Sequence, residues 1–200
     1  MPMTDSKITQ TDIGYAEEII ENMPVEDIRD VYEDSLLLWL CGSGSGPSHS
    51  GGSYYCVMDY KGRTKFLEGE VYGASVNAAL IAGFHQAVES LKKPVNILLL
   101  TPCPLGFHAG FRGKGPNAEK LQAALALIKE KGCTLTASVI PGGLIKQFVM
   151  EQGGKPQEPK ENKYKKIIYR ECLEKVCRLL QENQVDPAVI QQVREITADD

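Results

Sequence analysis

Few residues in this sequence are typed and spaced to do chemistry. Asp59, Glu68 and Glu70 fall on one predicted hairpin. Glu68 and Glu70 are two positions apart, so on a strand they share a face and could act together as acid and base. The ordinary reading of the same pair is a solvated strand face, where charge discourages edge-to-edge association. Cys103 and His108, with His49, have a tolerable zinc spacing, although zinc asks for three or four protein ligands and no second cluster accompanies them. Cys41 and His85 would make a thiolate–imidazole pair if they met. His85 lies on a predicted sheet-packing helix, where a core or rim histidine is the plainer reading. Phe107 and Phe111 beside Arg112 and Lys114 set aromatics among cations, the mixture that stacks on unpaired bases. Lys163, Lys165 and Lys166 belong to the most basic stretch, 155–178, which Glu158, Glu161, Glu171 and Glu174 dilute. It suits a nucleic-acid contact or, more plainly, a solvated helix face with ion pairs.

The composition bounds these readings. The chain has 200 residues, 42% hydrophobic and 24% charged, with a net charge of −4. That suits one globular domain with extensions. A mildly acidic total argues against non-specific nucleic-acid binding, which works by neutralising phosphates. Residues 1–10 lack the apolar core of a signal peptide, and no apolar run is long enough to span a membrane. Six cysteines without a C-x-x-C pair then read as reduced thiols, and the expected location is cytoplasmic.

The elements that must position these residues follow from periodicity. Residues 11–22 place Ile13, Ala16, Ile19 and Ile20 on one helical face, and Pro24 opens a second helix over 25–34. Residues 35–41, all but the first apolar, read as a central strand buried on both faces. The glycine-rich loop 42–52 is no P-loop, since no Gly-Lys-Ser/Thr ends it and a strand follows. Strands over 53–60 and 63–72 flank a Lys61-Gly62 turn as a hairpin. A helix over 74–91 capped by Ser75, a strand over 95–100 and an irregular stretch over 101–115 come next. A helix over 117–131, a strand over 133–140 and a short helix over 144–152 complete the domain. Residues 153–162 are a linker by composition, with helices over 164–182 and 187–196 beyond.

With that element order, the sequence resembles the type 1 ribonuclease H family across about residues 35–152. Leu40-Cys41-Gly42-Ser43 ends the first strand where the family has an Asp-Gly-Ser turn, and Gly51-Gly52 falls on its Gly-Gly. Tyr60-Lys61-Gly62-Arg63 matches the hairpin turn, Ser75-x-Asn77 the entry to the first helix, and 97–101 the fourth strand. Val139-Ile140-Pro141-Gly142-Gly143 lies where the family carries a Gly-His-Ala-Gly loop. The resemblance implies cleavage of RNA in RNA–DNA hybrids by two divalent ions about 4 Å apart, held by carboxylates. Those carboxylate positions are Cys41, Leu80 and Pro102 here. The last helix has no acid over 144–150, leaving Glu151 as the nearest.

The expectation is therefore an α/β chain with a mixed five-stranded ribonuclease H-like sheet, three antiparallel strands and then two parallel. Residues 1–34 and 163–200 are expected as helical extensions, around a domain at 35–152 and a linker at 153–162. It is expected to be non-catalytic, without a cofactor, and to bind a protein partner, a second copy or nucleic acid, the first two through its flanking helices. The alternative is a divergent nuclease that relocates its acids to Asp59, Glu68, Glu70 or Glu151 and uses magnesium or manganese.

Overall fold

A computed structural model describes residues 7–20, 23–44, 51–72, 74–154, 175–183 and Val189. Contacts divide the chain into two units, 1–157 and 158–200. In the second unit residues 175–182 are helical. The remainder of that predicted helix, and the one over 187–196 apart from Val189, lie outside the described residues.

The first unit is a six-stranded sheet in the order β1-β6-β5-β2-β3-β4. Its strands are β1 (Ala16–Glu18), β2 (Ser35–Gly44), β3 (Gly52–Tyr60), β4 (Arg63–Val71), β5 (Asn96–Thr101) and β6 (Thr134–Val139). β2, β3 and β4 pair antiparallel, while β5 runs parallel to both β2 and β6. This is the ribonuclease H-like arrangement that the resemblance implies.

Each strand's position follows from its residues. Leu36, Leu38 and Leu40 of β2 enter one apolar cluster; Leu37, Trp39 and Cys41 enter the other. An unbroken apolar run is what a strand covered on both faces requires. The first face is covered by α2 (Val76–Glu89) and α4 (Ala118–Glu130), the second by α1 (Val25–Val31) and α5 (Gly142–Gln152). Ser75 caps α2 by accepting from the Ala78 amide at 3.3 Å. Between β3 and β4, Lys61 and Gly62 have φ of 52° and 75°, the paired positive values of a tight hairpin turn. Tyr54 is seated between Gly69 and Gly83; a Cβ on Gly83 would come 2.6 Å from its ring.

Two segments differ from expectation. Residues 11–20 of the expected helix over 11–22 are not helical: Thr11–Ile13 makes one 3-10 turn, Gly14 reverses to φ 57°, and β1 then pairs parallel with β6; residues 21–22 lie outside the described residues. The sheet consequently has six strands rather than five, because the open edge of β6 offers backbone hydrogen bonds that outweigh a local helical preference. Within the irregular stretch 101–115, α3 (Phe107–Phe111) forms one short helix behind Leu105 and Gly106, both at positive φ.

Candidate functional site

The three positions that the resemblance aligns with the family's metal ligands do not face one another. Cys41 is buried on the α5 side of the sheet, and burial pushes its thiol up to about 11, with the Lys146 charge opposing. Leu80 is buried on the other side, in the α2 cluster, over the backbone of Gly42. Pro102 follows β5 at the surface, beside the first residue of α5, Gly142. Next to it Cys103 donates to Asn77 Oδ1 at 3.4 Å. A protonated thiol, an isobutyl group and a proline supply no hard oxygen ligand for a divalent ion, so these residues do not fit the family's metal pair.

The relocated carboxylates are not gathered either. Asp59, expected on a solvated hairpin, is 1% exposed and accepts from Arg29 Nε of α1 at 2.7 Å. The reason is that β3 lies inside the sheet rather than at its edge, and Asp59 points under α1. Its Oδ1 has no hydrogen-bond partner among the described residues. Glu68 and Glu70 do share a face of the edge strand β4, opposite Tyr55 and Ser53. Asp59 pairs opposite Thr64 on that face, four residues from Glu68 and so roughly 14 Å away. Glu151 is exposed near the end of α5, where it accepts from Gln147 at 3.1 Å. Among the described residues no three of His, Cys, Asp or Glu are grouped to hold a metal ion.

The other candidates are dispersed. Phe107 is 2% exposed and packs against Tyr15 and Phe84, which removes its ring from any contact with a base. Phe111 is half-buried with its edge toward Tyr15, while Arg112 and Lys114 are exposed. His108 lies 3.2 Å from Glu17 instead of joining Cys103, and His49 lies outside the described residues. His85 is on α2 and Cys41 faces α5, so the sheet separates them. Lys163, Lys165 and Lys166 also lie outside the described residues.

Sequence reasoning missed the N-terminal edge of the sheet. A cleft of about 320 Å³ opens there, lined wholly by apolar residues: Ile20, Met23, Pro24 and Ile28 on one wall, Ile140, Pro141 and Leu144 on the other. A second cleft of about 290 Å³ lies across α1, bordered by Arg29, Glu33 and Asp59 among others. One signal was available. Residues 11–34 hold nine acidic residues and a single basic one, Arg29, a net −8 in a chain of −4. A lone cation in such a segment marks a specific partner, and its partner is the buried Asp59.

No family model and no curated protein matches this chain. Among solved structures, the N-terminal RNase H domain of Rv2228c from Mycobacterium tuberculosis, fused to maltose-binding protein, is similar at 17% identity with a TM-score of 0.45. The match covers 56% of this chain and 91% of that one. A likeness this distant carries no functional argument, and the ribonuclease H-like character of the fold rests on its strand order.

Proposed function

We propose that this chain is a non-catalytic, protein-binding module on a ribonuclease H-like sheet. The observation that carries the reading is the fate of the metal positions: Cys41 and Leu80 are packed into apolar clusters on opposite faces. Side chains held apart by a sheet cannot clamp the two oxygens of an in-line displacement. Protein is favoured over nucleic acid because Phe107 is in the core and the N-terminal segment is strongly acidic. Acidic surfaces repel phosphates rather than neutralise them.

A second reading, a divergent nuclease, draws on Glu68, which lies in one cross-strand row with Cys41 and Tyr55. It alone would call for magnesium or manganese. Full-length protein incubated with labelled RNA–DNA hybrid and either ion separates the two. The module reading expects no cleavage above a protein-free control. Turnover abolished by Glu68→Gln, Glu70→Gln or Asp59→Asn overturns it.

A further inference from the structure

Resting on that reading, we infer that the apolar cleft beside β1 receives an extended segment of a partner protein whose aliphatic side chains are flanked by lysine or arginine.

The first observation is chemical. The cleft walls carry no polar side chain, and its size is at the low end of the roughly 300–1,000 Å³ that encloses small ligands. Burying apolar groups is the interaction such walls reward, at roughly 25 cal/mol per Å². A cofactor with phosphates would find no charged or polar side chain there to pair with.

The second is the edge itself. β1 ends the sheet, and no strand lies beyond it among the described residues. An unpaired edge offers backbone donors and acceptors to a peptide that adds as a further strand. Alternate side chains of an added strand fall on the two faces of the sheet. One face presents the cleft. Ile19, just past β1, is 85% exposed and Val139, the last residue of β6, 52%. Apolar contact is therefore on offer at the edge as well as in the cleft.

The third is charge. Glu26, Asp27 and Asp30 on α1, with Glu18 on β1, form no ion pair among the described residues; Glu18 accepts from the Tyr32 hydroxyl. Pro24 and Ile28 line the cleft, and Asp27 neighbours them on the helix surface. Flanking lysines or arginines on a docked segment would meet these carboxylates, which supply steering and register. The same field disfavours an anionic membrane or a nucleic acid. It also disfavours a second copy pairing β1 to β1, since Glu17 and Glu18 would then crowd their own counterparts.

The test uses the full chain and short fluorescein-labelled peptides. The probe has a Val-Ile-Val centre with two lysines on each side; one control replaces the lysines by glutamates, the other the centre by serines. Fluorescence anisotropy is expected to show saturable binding of the probe, with both controls weaker by about tenfold or more. Asp27→Lys and Leu144→Lys are each expected to weaken the probe by about fivefold or more, while Lys92→Glu on the far side leaves it unchanged. Near-ultraviolet circular dichroism checks that the variants keep the native fold, and any variant that loses it is replaced by Asp27→Asn or Leu144→Ser. Equal binding of the glutamate peptide, or no effect of correctly folded variants, overturns the inference. So does a concentration-dependent doubling of mass abolished by Leu144→Lys, which would make a second copy the occupant. Failure of the probe to bind overturns this inference alone; the non-catalytic reading falls only with cleavage of the hybrid.

Discussion

Two regions of one sheet are built in opposite ways. At the positions that the resemblance aligns with the family's acids, the chain has Cys41 on β2, Leu80 on α2 and Pro102 just after β5, the first two inside apolar clusters. At the β1 edge it leaves Ile19 and Val139 in the open, near a cleft walled in part by the buried Ile20, Ile28 and Ile140. A concave acidic site keeps buried charge in place at the expense of stability, and replacing the acids by packed groups removes that cost. Exposed apolar side chains such as Ile19 and Val139 contribute little to the isolated fold. Under the proposed function, the corner is packed as core and the edge is the surface left for contact.

The largest expected effect comes from putting acids back. If the corner lacked only its ligands, Cys41→Asp with Leu80→Glu would remain folded and bind magnesium. Leu80 is 1% exposed among apolar side chains, so a carboxylate there has no partner and loses the leucine's packing. Leu80→Glu is expected to cost about 4 kcal/mol or more, read from urea unfolding. A folded, magnesium-stabilised double variant would erase the contrast between the two regions.

Next in size is the ion pair beneath α1. Arg29→Met removes the guanidinium paired with Asp59, which is 1% exposed while Arg29 is 30% exposed. Removing one partner of a fully buried pair costs about 3–5 kcal/mol, and solvent access on the arginine side lowers the expectation to about 2–3 kcal/mol. Arg29→Met with Asp59→Leu is expected to recover most of the loss, because the uncompensated charge and not the missing bond is what destabilises. No recovery would show that Arg29 acts through packing, for example on the Phe148 ring 5.4 Å away.

These cases also show what the sequence made legible. The central strands were readable because every residue from Leu36 to Cys41 is apolar, which only a strand covered on both faces tolerates. The turn at Lys61-Gly62 and the Ser75 cap were readable because each is decided by its own few residues. β1 was not. Ile13, Ala16, Ile19 and Ile20 satisfy helical spacing, and the segment becomes a strand only because β6, far along the chain, lacks a neighbour. Asp59 was misplaced for a similar reason: its alternation in the hairpin is visible, but the helix laid over it is not. In the corner, the resemblance placed Cys41, Leu80 and Pro102 at the family's acid positions. That the sheet divides Cys41 from Leu80 required the fold.

A smaller effect separates the closed corner from the solvent-facing edge by pH. Burial pushes the Cys56 thiol from 9.0 to about 12 and the Cys41 thiol to about 11. Unfolded thiols lose their protons near pH 9, while the folded ones hold theirs. Raising the pH therefore favours the unfolded chain, and stability falls from about pH 9 up to the folded values; below pH 9 both thiols are protonated in both states and the contribution is level. Cys56→Ala is expected to flatten the fall in urea midpoint between pH 9 and 11 by up to about 1.4 kcal/mol per pH unit, whatever the cavity does to absolute stability. An unchanged slope would mean that Cys56 reaches solvent.

The smallest stability effect tests the open edge. Ile19 and Ile20 are adjacent, but the alternation of the chain leaves one 85% exposed and buries the other to 4%. Ile19→Ser is expected to stay within about 0.5 kcal/mol of the parent in urea unfolding, whereas Ile20→Ser should cost about 2 kcal/mol or more through lost burial and an unpaired hydroxyl. Ile19 has apolar surface to lose only when something covers it. If the β1 edge is a docking strand, Ile19→Ser should weaken the lysine-flanked probe by roughly threefold with stability intact. A large stability loss at Ile19 would mean that the monomer already covers this side chain, and the edge would then be part of the core like the corner it contrasts with.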